Sequence, residues 1–366
     1  MSILILANPE DPHTLKWVKG VASRNIRIVL FGLNAFDHAL YIDFQHVTCY
    51  DGGLPRSFIK SSLGGVKKVK YLGVLRRLQK IIQKEKPDLI HAHYASSYGI
   101  LGALLNRKPF FLSVWGGDVY VFPKKSWIHK QMFRFVLKRA TRIFSTSKTM
   151  KQEIQHYTSR TIHVIPFGIP LDQFQPTQKT SATDTLTIGT VKKLHPVYGI
   201  DTLIRAFYEL QEHVSDTRVL LRIVGDGPVR KELEQLVHEL QLEQRVQFDG
   251  EVHPDEVPGI LQEMDIFSTL SRVESFGVSV IEASAIGLPV VVSDTGGLPE
   301  VVRDGKTGFV VEQGNSQKAA DALLKLVMDG ELRKQMGQNG RAWVESKYDW
   351  EKNLGQMIEH YEEALQ

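Results

Sequence analysis

Short apolar runs and helical stripes alternate along almost the whole chain. In the first half the runs of strand length are ILILA, IRIVLFG, HVTCY, DLIHAH, FFLSVWG and RIFSTS. Between several of them apolar residues recur at helical spacing, most plainly Val69, Leu72, Leu75, Leu78 and Ile81, with basic residues on the other faces. The second half repeats the plan: LTIGTV, VLLRIVG, VQFDGE, IFSTLS, PVVVSD and GFVVE, interleaved with helical patterns such as Val229–Leu240 and Gln317–Met328. Strands that alternate with helices imply parallel sheets with right-handed crossovers. The Pro-, Gln- and Thr-rich stretch Val164–Ser181 interrupts the pattern, and 366 residues suffice for two domains of about 150 residues each. The chain therefore reads as α/β, with two Rossmann-like domains facing a central cleft: residues 1–168, then 169–349. The amphipathic stretch Trp350–Leu365 reads as a C-terminal helix (350–366) that crosses back to the first domain. Open parallel sheets bind ligands beyond the carboxyl ends of their strands, so both sets of loops are expected to border that cleft.

Composition narrows the class. At 42% hydrophobic and 23% charged residues, the chain is neither disordered nor fibrous. No apolar run approaches the ~18–20 residues that cross a bilayer. MSILILANPEDP has no basic region ahead of its apolar stretch and no small-residue cleavage site, so it reads as a first strand. The single cysteine, Cys49, excludes an internal disulfide framework and a Cys-rich zinc site, and fits a reducing compartment. A cytoplasmic location is expected.

The net charge of +4 conceals an asymmetry. Residues 1–165 carry 26 Lys/Arg against 9 Asp/Glu, and the remainder carries 19 against 32. The excess is densest over Arg56–Lys86, where ten basic residues face only Glu85. Nucleic acid, an acidic membrane surface, a phosphorylated acceptor and a merely solvated helix face all satisfy this charge alone.

The stretch from Glu274 to Glu282 carries the most chemistry. It follows the run IFSTLS, and after Gly277 its pattern is helical. A tight turn into a helix leaves free backbone N–H groups that attract an anion. Two carboxylates beside such a turn suit a ligand with several hydroxyls, as in a sugar. Taken alone, the same residues read better as a first-turn acid favoured by the helix dipole and a solvated glutamate. On the first half, Leu89-Ile-His-Ala-His93 ends a strand, and alternation turns His91 and His93 to one face. A structural role, a metal pair and a ligand contact all remain open there, although no third metal ligand has an obvious spacing.

Taken together, the motifs identify a resemblance. Glu274-x7-Glu282, Gly296-Gly-Leu-Pro-Glu-Val-Val with Asp304-Gly-Lys-Thr-Gly308, Ile223-Val-Gly-Asp-Gly-Pro228, Val246-x-Phe-x-Gly250 and His91-Ala-His93 occur in one order. In this order and spacing the chain resembles retaining glycosyltransferases of family four (glycosyl transferases group 1), which have the GT-B fold. The resemblance covers nearly the whole chain. It implies that Glu274 holds hydroxyls of the donor sugar, with the backbone amides of Phe276 and Gly277 near the sugar and diphosphate. It further implies that Glu282 binds ribose hydroxyls, while Gly225 and the loop Gly250–Val252 border the nucleobase. His93 would contact the donor sugar near the reaction centre. Trp115-Gly-Gly-Asp118 would shape the acceptor pocket or simply turn the chain. His13 and Lys16 are acceptor-side candidates in a loop that lacks the glycine-rich segment many relatives carry.

One departure bears on the phosphate site. The family commonly reads G-R-L-x-x-x-K-G, where Arg and Lys clamp the diphosphate; this chain has Lys192-Lys193-Leu-His-Pro-Val-Tyr198-Gly199. Lys193 takes the Arg position and Tyr198 replaces the Lys. The leaving diphosphate still needs its charge neutralised, a task for Lys193 with Lys192, the Tyr198 hydroxyl or the helix start.

The resemblance implies a retaining, metal-independent hexosyltransferase that needs no cofactor. It would move a sugar from a nucleotide-diphosphate-sugar to a glycan or lipid-linked acceptor in cell-surface or exopolysaccharide assembly. Basic residues interleaved with apolar ones, as in Phe58-Ile-Lys60, Val66–Lys70 and Phe122–Ile128, suit a peripheral contact with an anionic membrane surface, each contributing on the order of 1 kcal/mol. No nucleic-acid motif accompanies the charge. Two rival readings are a nucleotide-sugar epimerase of the same architecture and a non-catalytic glycan- or membrane-binding partner. An NAD enzyme is disfavoured because Gly225-Asp-Gly227 lacks the third glycine of the dinucleotide fingerprint.

Overall fold

The computed structural model describes residues 1–54, 67–176, 185–214 and 218–366, with only the backbone for residues 67–72. Phe58–Lys60, Val66 and part of the 164–181 stretch lie outside the described residues, as do the side chains of the basic residues at 67–70. The chain divides into two compact units, Met1–Ile165 with Leu354–Gln366, and Pro166–Asn353.

The first unit holds a parallel sheet of β1 (Ser2–Leu6), β2 (Arg27–Asn34), β3 (Val47–Leu54), β4 (Leu89–His93), β5 (Phe110–Val114), β6 (Arg142–Ser145) and β7 (Ile162–Val164). Its order is β3-β2-β1-β4-β5-β6-β7. The second unit holds β8 (Thr185–Val191), β9 (Arg218–Val224), β10 (Val246–Gly250), β11 (Ile266–Thr269), β12 (Val290–Ser293) and β13 (Gly308–Val311), also parallel, in the order β10-β9-β8-β11-β12-β13. Every residue of β4, β5, β11 and β12 is buried, as expected for strands covered by helices on both faces. Two Rossmann-like α/β domains result.

The twelve apolar runs of the sequence all form strands. The three-residue β7 was not anticipated, being too short to show a pattern. The helix expected over Val69–Ile81 extends over Lys67–Glu85, and its buried face is Val74, Leu78, Ile81 and Ile82 rather than a strict every-third-residue stripe. A row at spacing three drifts around a helix of 3.6 residues per turn, so the 4-3-1 spacing marks the inner face.

The helix Trp350–Glu363 begins in the second unit, where Trp350 N–H donates to Ile169 O at 3.0 Å. From Leu354 onward it belongs to the first unit. There Tyr361 is fully buried, stacked on Phe111 at 5.7 Å and accepting a hydrogen bond from Trp17 Nε1 at 3.4 Å. Among the described residues no helix is long and apolar enough to cross a membrane.

Candidate functional site

In the second sheet the chain leaves β8 for β9 on one side, while β11 pairs with β8 on the other. The loops after β8 and β11 therefore diverge at the carboxyl edge, which is where an open parallel sheet forms a crevice. The β8 loop, Lys192–Gly199, is held by main-chain bonds: Lys192 N–H to Val224 O and Leu194 N–H to Asp226 O, both at 2.9 Å. A Cβ on Gly225, at φ +135°, would stand 2.0 Å from the Lys192 carbonyl oxygen, so only glycine permits that approach. The Gly225 N–H in turn donates to Gly250 O at 2.7 Å, tying in the loop that carries half-buried Val252.

The β11 loop, Leu270–Gly277, lies directly on the β8 loop. Arg272 N–H and Val273 N–H donate to Val197 O at 2.7 and 3.1 Å. The Arg272 guanidinium spans both oxygens of Asp201, at 2.9 and 2.6 Å, and also reaches Pro196 O at 2.7 Å. Sequence reasoning missed this clamp, because nothing in the local pattern links residues 71 positions apart. The other flank is fixed by Gly296, at φ +55°, where a Cβ would lie 1.7 Å from Glu274 O.

Within this frame three predicted residues meet. Glu274 Oε2 is 2.6 Å from Lys192 Nζ, and the two side chains are only 11% and 13% exposed. Lys192 Nζ also sits 4.9 Å from the centre of the Tyr198 ring, an electrostatically favourable seat for a cation. Glu274 and the tyrosine that occupies the family's lysine position thus converge on the Lys192 ammonium. Ser271 Oγ donates to the same carboxylate oxygen at 3.4 Å. Lys193, one residue on, is exposed.

Gly277, at φ +101°, precedes the helix Val278–Ile286. Val280 N–H and Ile281 N–H already donate to Gly277 O at 3.1 and 3.3 Å, and the N–H groups of Val278 and Ser279 have no helical carbonyl upstream, the kind of helix start that attracts an anion. The Phe276 ring is core, packed against Phe167 and Tyr348 at 5.8 and 5.6 Å, so only its backbone faces any ligand. Glu282 is half-buried and is the fifth residue of that helix, a little over one turn from its start.

In the first sheet the switch falls between β1 and β4. At its carboxyl edge Asp11 caps the helix Pro12–Ala22 by accepting from His13 N–H and Thr14 N–H, and also accepts from Tyr94 OH at 3.3 Å. His13 and Lys16 are half-buried on the first turns, with His13 edge-on to Trp115 at 6.1 Å. His91 is no metal ligand: Nδ1 bonds Tyr361 OH at 2.7 Å and Nε2 bonds Ser113 Oγ at 2.8 Å. Burial pushes its pKa down to about 3. Among the described residues no group of three or more His, Cys, Asp or Glu could hold a metal ion.

His93 is fully buried in this conformation, 4.3 Å from the Trp115 ring, and neither ring nitrogen has a hydrogen-bond partner. Burial and the adjacent His91 hold its pKa well below the ordinary histidine value. As it stands, Trp115 covers the imidazole. Asp118 is placed differently from an acceptor-binding residue. Buried, it accepts from Ala95 N–H at 2.7 Å, Gly116 N–H at 2.9 Å and Trp115 N–H at 3.2 Å. Of the two roles left open for this motif, the carboxylate serves the turn: it ties the β5 loop to the β4 loop and sets Trp115 over His93. Burial raises its pKa while the three amides pull against that shift.

Residues 172–343 match the family described as Glycosyl transferases group 1, and residues 2–147 match Glycosyl transferase 4-like. The chain is 28% identical over 286 residues to an uncharacterized glycosyltransferase of Methanocaldococcus jannaschii, covering 77% of each. It is 27% identical over 309 residues to the N-acetyl-alpha-D-glucosaminyl L-malate synthase of Bacillus anthracis, covering 80% of this chain and 79% of that one. A GDP-mannose-dependent alpha-(1-6)-phosphatidylinositol monomannoside mannosyltransferase of Mycobacterium tuberculosis is 32% identical over 205 residues, 52% of this chain and 53% of its own. In fold, the chain superposes on sucrose-phosphate synthase of Thermosynechococcus elongatus with a TM-score of 0.82 at 20% identity, covering 99% and 98% of the two chains. Anabaena HepE in complex with UDP-glucose gives 0.79 at 21% identity, covering 99% and 100%.

Proposed function

Because the chain belongs to the GT-B glycosyltransferases of group 1, family-four-like, which act with nucleotide sugars, we propose that it transfers a hexose-type sugar, with retention, to a glycan or lipid-linked acceptor in cell-surface or exopolysaccharide assembly. The observation that carries this reading is the Lys192–Glu274 pair on the Tyr198 ring, beside the helix start at Gly277.

In the proposed reaction the nucleotide lies on the second unit, with its ribose hydroxyls on Glu282 and its diphosphate over the Gly277 turn. Donor binding draws Lys192 from Glu274 toward the phosphates, which frees the carboxylate to accept hydroxyls of the sugar. The C1–O bond to the diphosphate breaks with its electron pair going to the phosphate oxygen. The acceptor hydroxyl attacks C1 from the same face and passes its proton to that oxygen. Lys192, Lys193 and the helix N–H groups stabilise the charge that develops there, so the step calls on no metal ion. His93 is the first unit's candidate for a sugar contact in this proposal, its two unpartnered ring nitrogens offering one donor and one acceptor for hydroxyls.

Calorimetric titration tests the donor site. Among UDP, GDP and ADP, one nucleoside diphosphate is expected to bind, with Glu282→Ala weakening it at least about tenfold through loss of charge-assisted hydrogen bonds. Wild-type protein that binds none of them, or a variant that binds equally well, would overturn the assignment. Lys192→Met is expected to lower turnover about 100-fold, as removal of a charge aimed at a leaving group does. Turnover within a few-fold of wild type would instead put the leaving-group charge on Lys193 and the helix alone.

A further inference from the structure

We propose that the start of the helix Trp127–Arg139, in the first unit, is a docking surface for an anionic lipid bilayer. From Val119 to Gln152 the chain has nine Lys or Arg and not one Asp or Glu. Within that stretch the side chains of Trp127 and Ile128 are 72% and 63% exposed, and Val121 is 51% exposed. Large apolar side chains left in water side by side mark a contact surface. Around them Lys125, Lys130 and Arg134 are exposed; Lys124 is exposed too, though paired with Glu153 at 2.9 Å.

The helix explains why these groups face outward together. Its inner face is Phe133, Val136 and Leu137, all buried. Trp127, Arg134 and Lys138, at i, i+7 and i+11, fall on the opposite stripe. Ser126 caps the first turn by accepting from His129 N–H, and buried Phe122 and Pro123 anchor the approach, so Trp127 and Ile128 project from a fixed base. An apolar tip ringed by cations is the pattern of an interfacial anchor: the tip enters the headgroup boundary while the cations meet lipid phosphates.

The location gives the surface its use. This helix is the crossover from β5 to β6, which runs opposite to the strands it joins. Its start therefore lies toward the carboxyl edge of the sheet, the edge that carries His93, Trp115 and Asp118. A lipid-linked acceptor, as proposed above, would emerge from the bilayer beside those loops. Binding to the bilayer itself needs neither donor nor transfer.

Co-sedimentation with vesicles tests it. At about 0.1 M salt the protein is expected to pellet with phosphatidylcholine vesicles containing roughly 30% phosphatidylglycerol, and to stay in solution with phosphatidylcholine alone. Trp127→Ala with Ile128→Ala, and separately Lys125→Glu with Lys130→Glu, are each expected to lower partitioning about tenfold or more. Both pairs are exposed, so an unchanged thermal midpoint shows that the fold is intact. The surface is refuted if wild-type protein ignores the anionic vesicles, if either pair pellets like wild type, or if a single-stranded oligonucleotide is bound and vesicles are not. Vesicle binding without nucleoside-diphosphate binding would remove the transferase reading and leave the docking surface standing.

Discussion

Glu274→Gln is expected to lower sugar transfer by about 10³-fold while changing nucleoside-diphosphate affinity by only a few-fold. The carboxylate stands on main chain that cannot shift: its carbonyl abuts Gly296, and the loop is pinned by Arg272 to Asp201. In the resting site its charge is matched by Lys192 at 2.6 Å. Glutamine keeps the shape and one acceptor oxygen but loses the charge. Lys192 is then largely buried with a weaker partner, and the sugar loses a charge-assisted contact that strengthens as positive character develops at C1. Losses of 10²–10³ follow removal of one such preorganised group. The assay is nucleoside-diphosphate release in the presence of acceptor, with calorimetry on the same variant to separate binding from chemistry. A rate within tenfold of wild type would take Glu274 out of the chemistry.

Asp118→Ala is expected to cost about 3–5 kcal/mol of stability in the first unit. The aspartate satisfies three backbone N–H groups in a buried turn, and each orphaned donor costs about 1–3 kcal/mol before water enters. For a unit of this size the corresponding transition falls by roughly 10 °C. Scanning calorimetry of the whole chain reads this directly. Asp118→Asn keeps an acceptor oxygen without the charge and should lose about half as much. A shift of under about 1 °C for the alanine variant would mean that the turn holds itself together.

The two outcomes concern opposite kinds of residue that looked alike in the sequence. Glu274 and Asp118 are both acids just beyond a strand, and only three-dimensional neighbours separate a carboxylate that meets a cation from one spent on amides. The alternation of apolar runs with helical stripes was enough to read the parallel sheets, since strands buried on both faces are continuously apolar. Glu274, Glu282, Gly225 and Gly277 stand out in the sequence as candidates because their motifs occur in one order. Covering of His93 by Trp115 was not, because strand alternation tells which face a side chain takes and not what lies above it. The Arg272–Asp201 clamp escaped for a related reason: each partner is an ordinary charged residue until the sheet order sets β11 beside β8. In the motif Lys192 stands as a helper of Lys193, yet it is Lys192 that reaches Glu274 and Tyr198.

Two of the close glycine contacts in the second unit have a consequence for how its loops tolerate change. At Gly225 and Gly296 the spacing between neighbouring loops is a distance from one backbone to another, with no side chain interposed. Side chains that project from those loops can then be exchanged without moving the backbone that carries them. Replacing Lys193 by Arg or Tyr198 by Lys is therefore expected to leave the backbone of both loops in place. The same arrangement predicts where drift stops. A methyl group at either glycine would part the loops, as it would at Gly199, where a Cβ would stand 2.0 Å from Leu270 O.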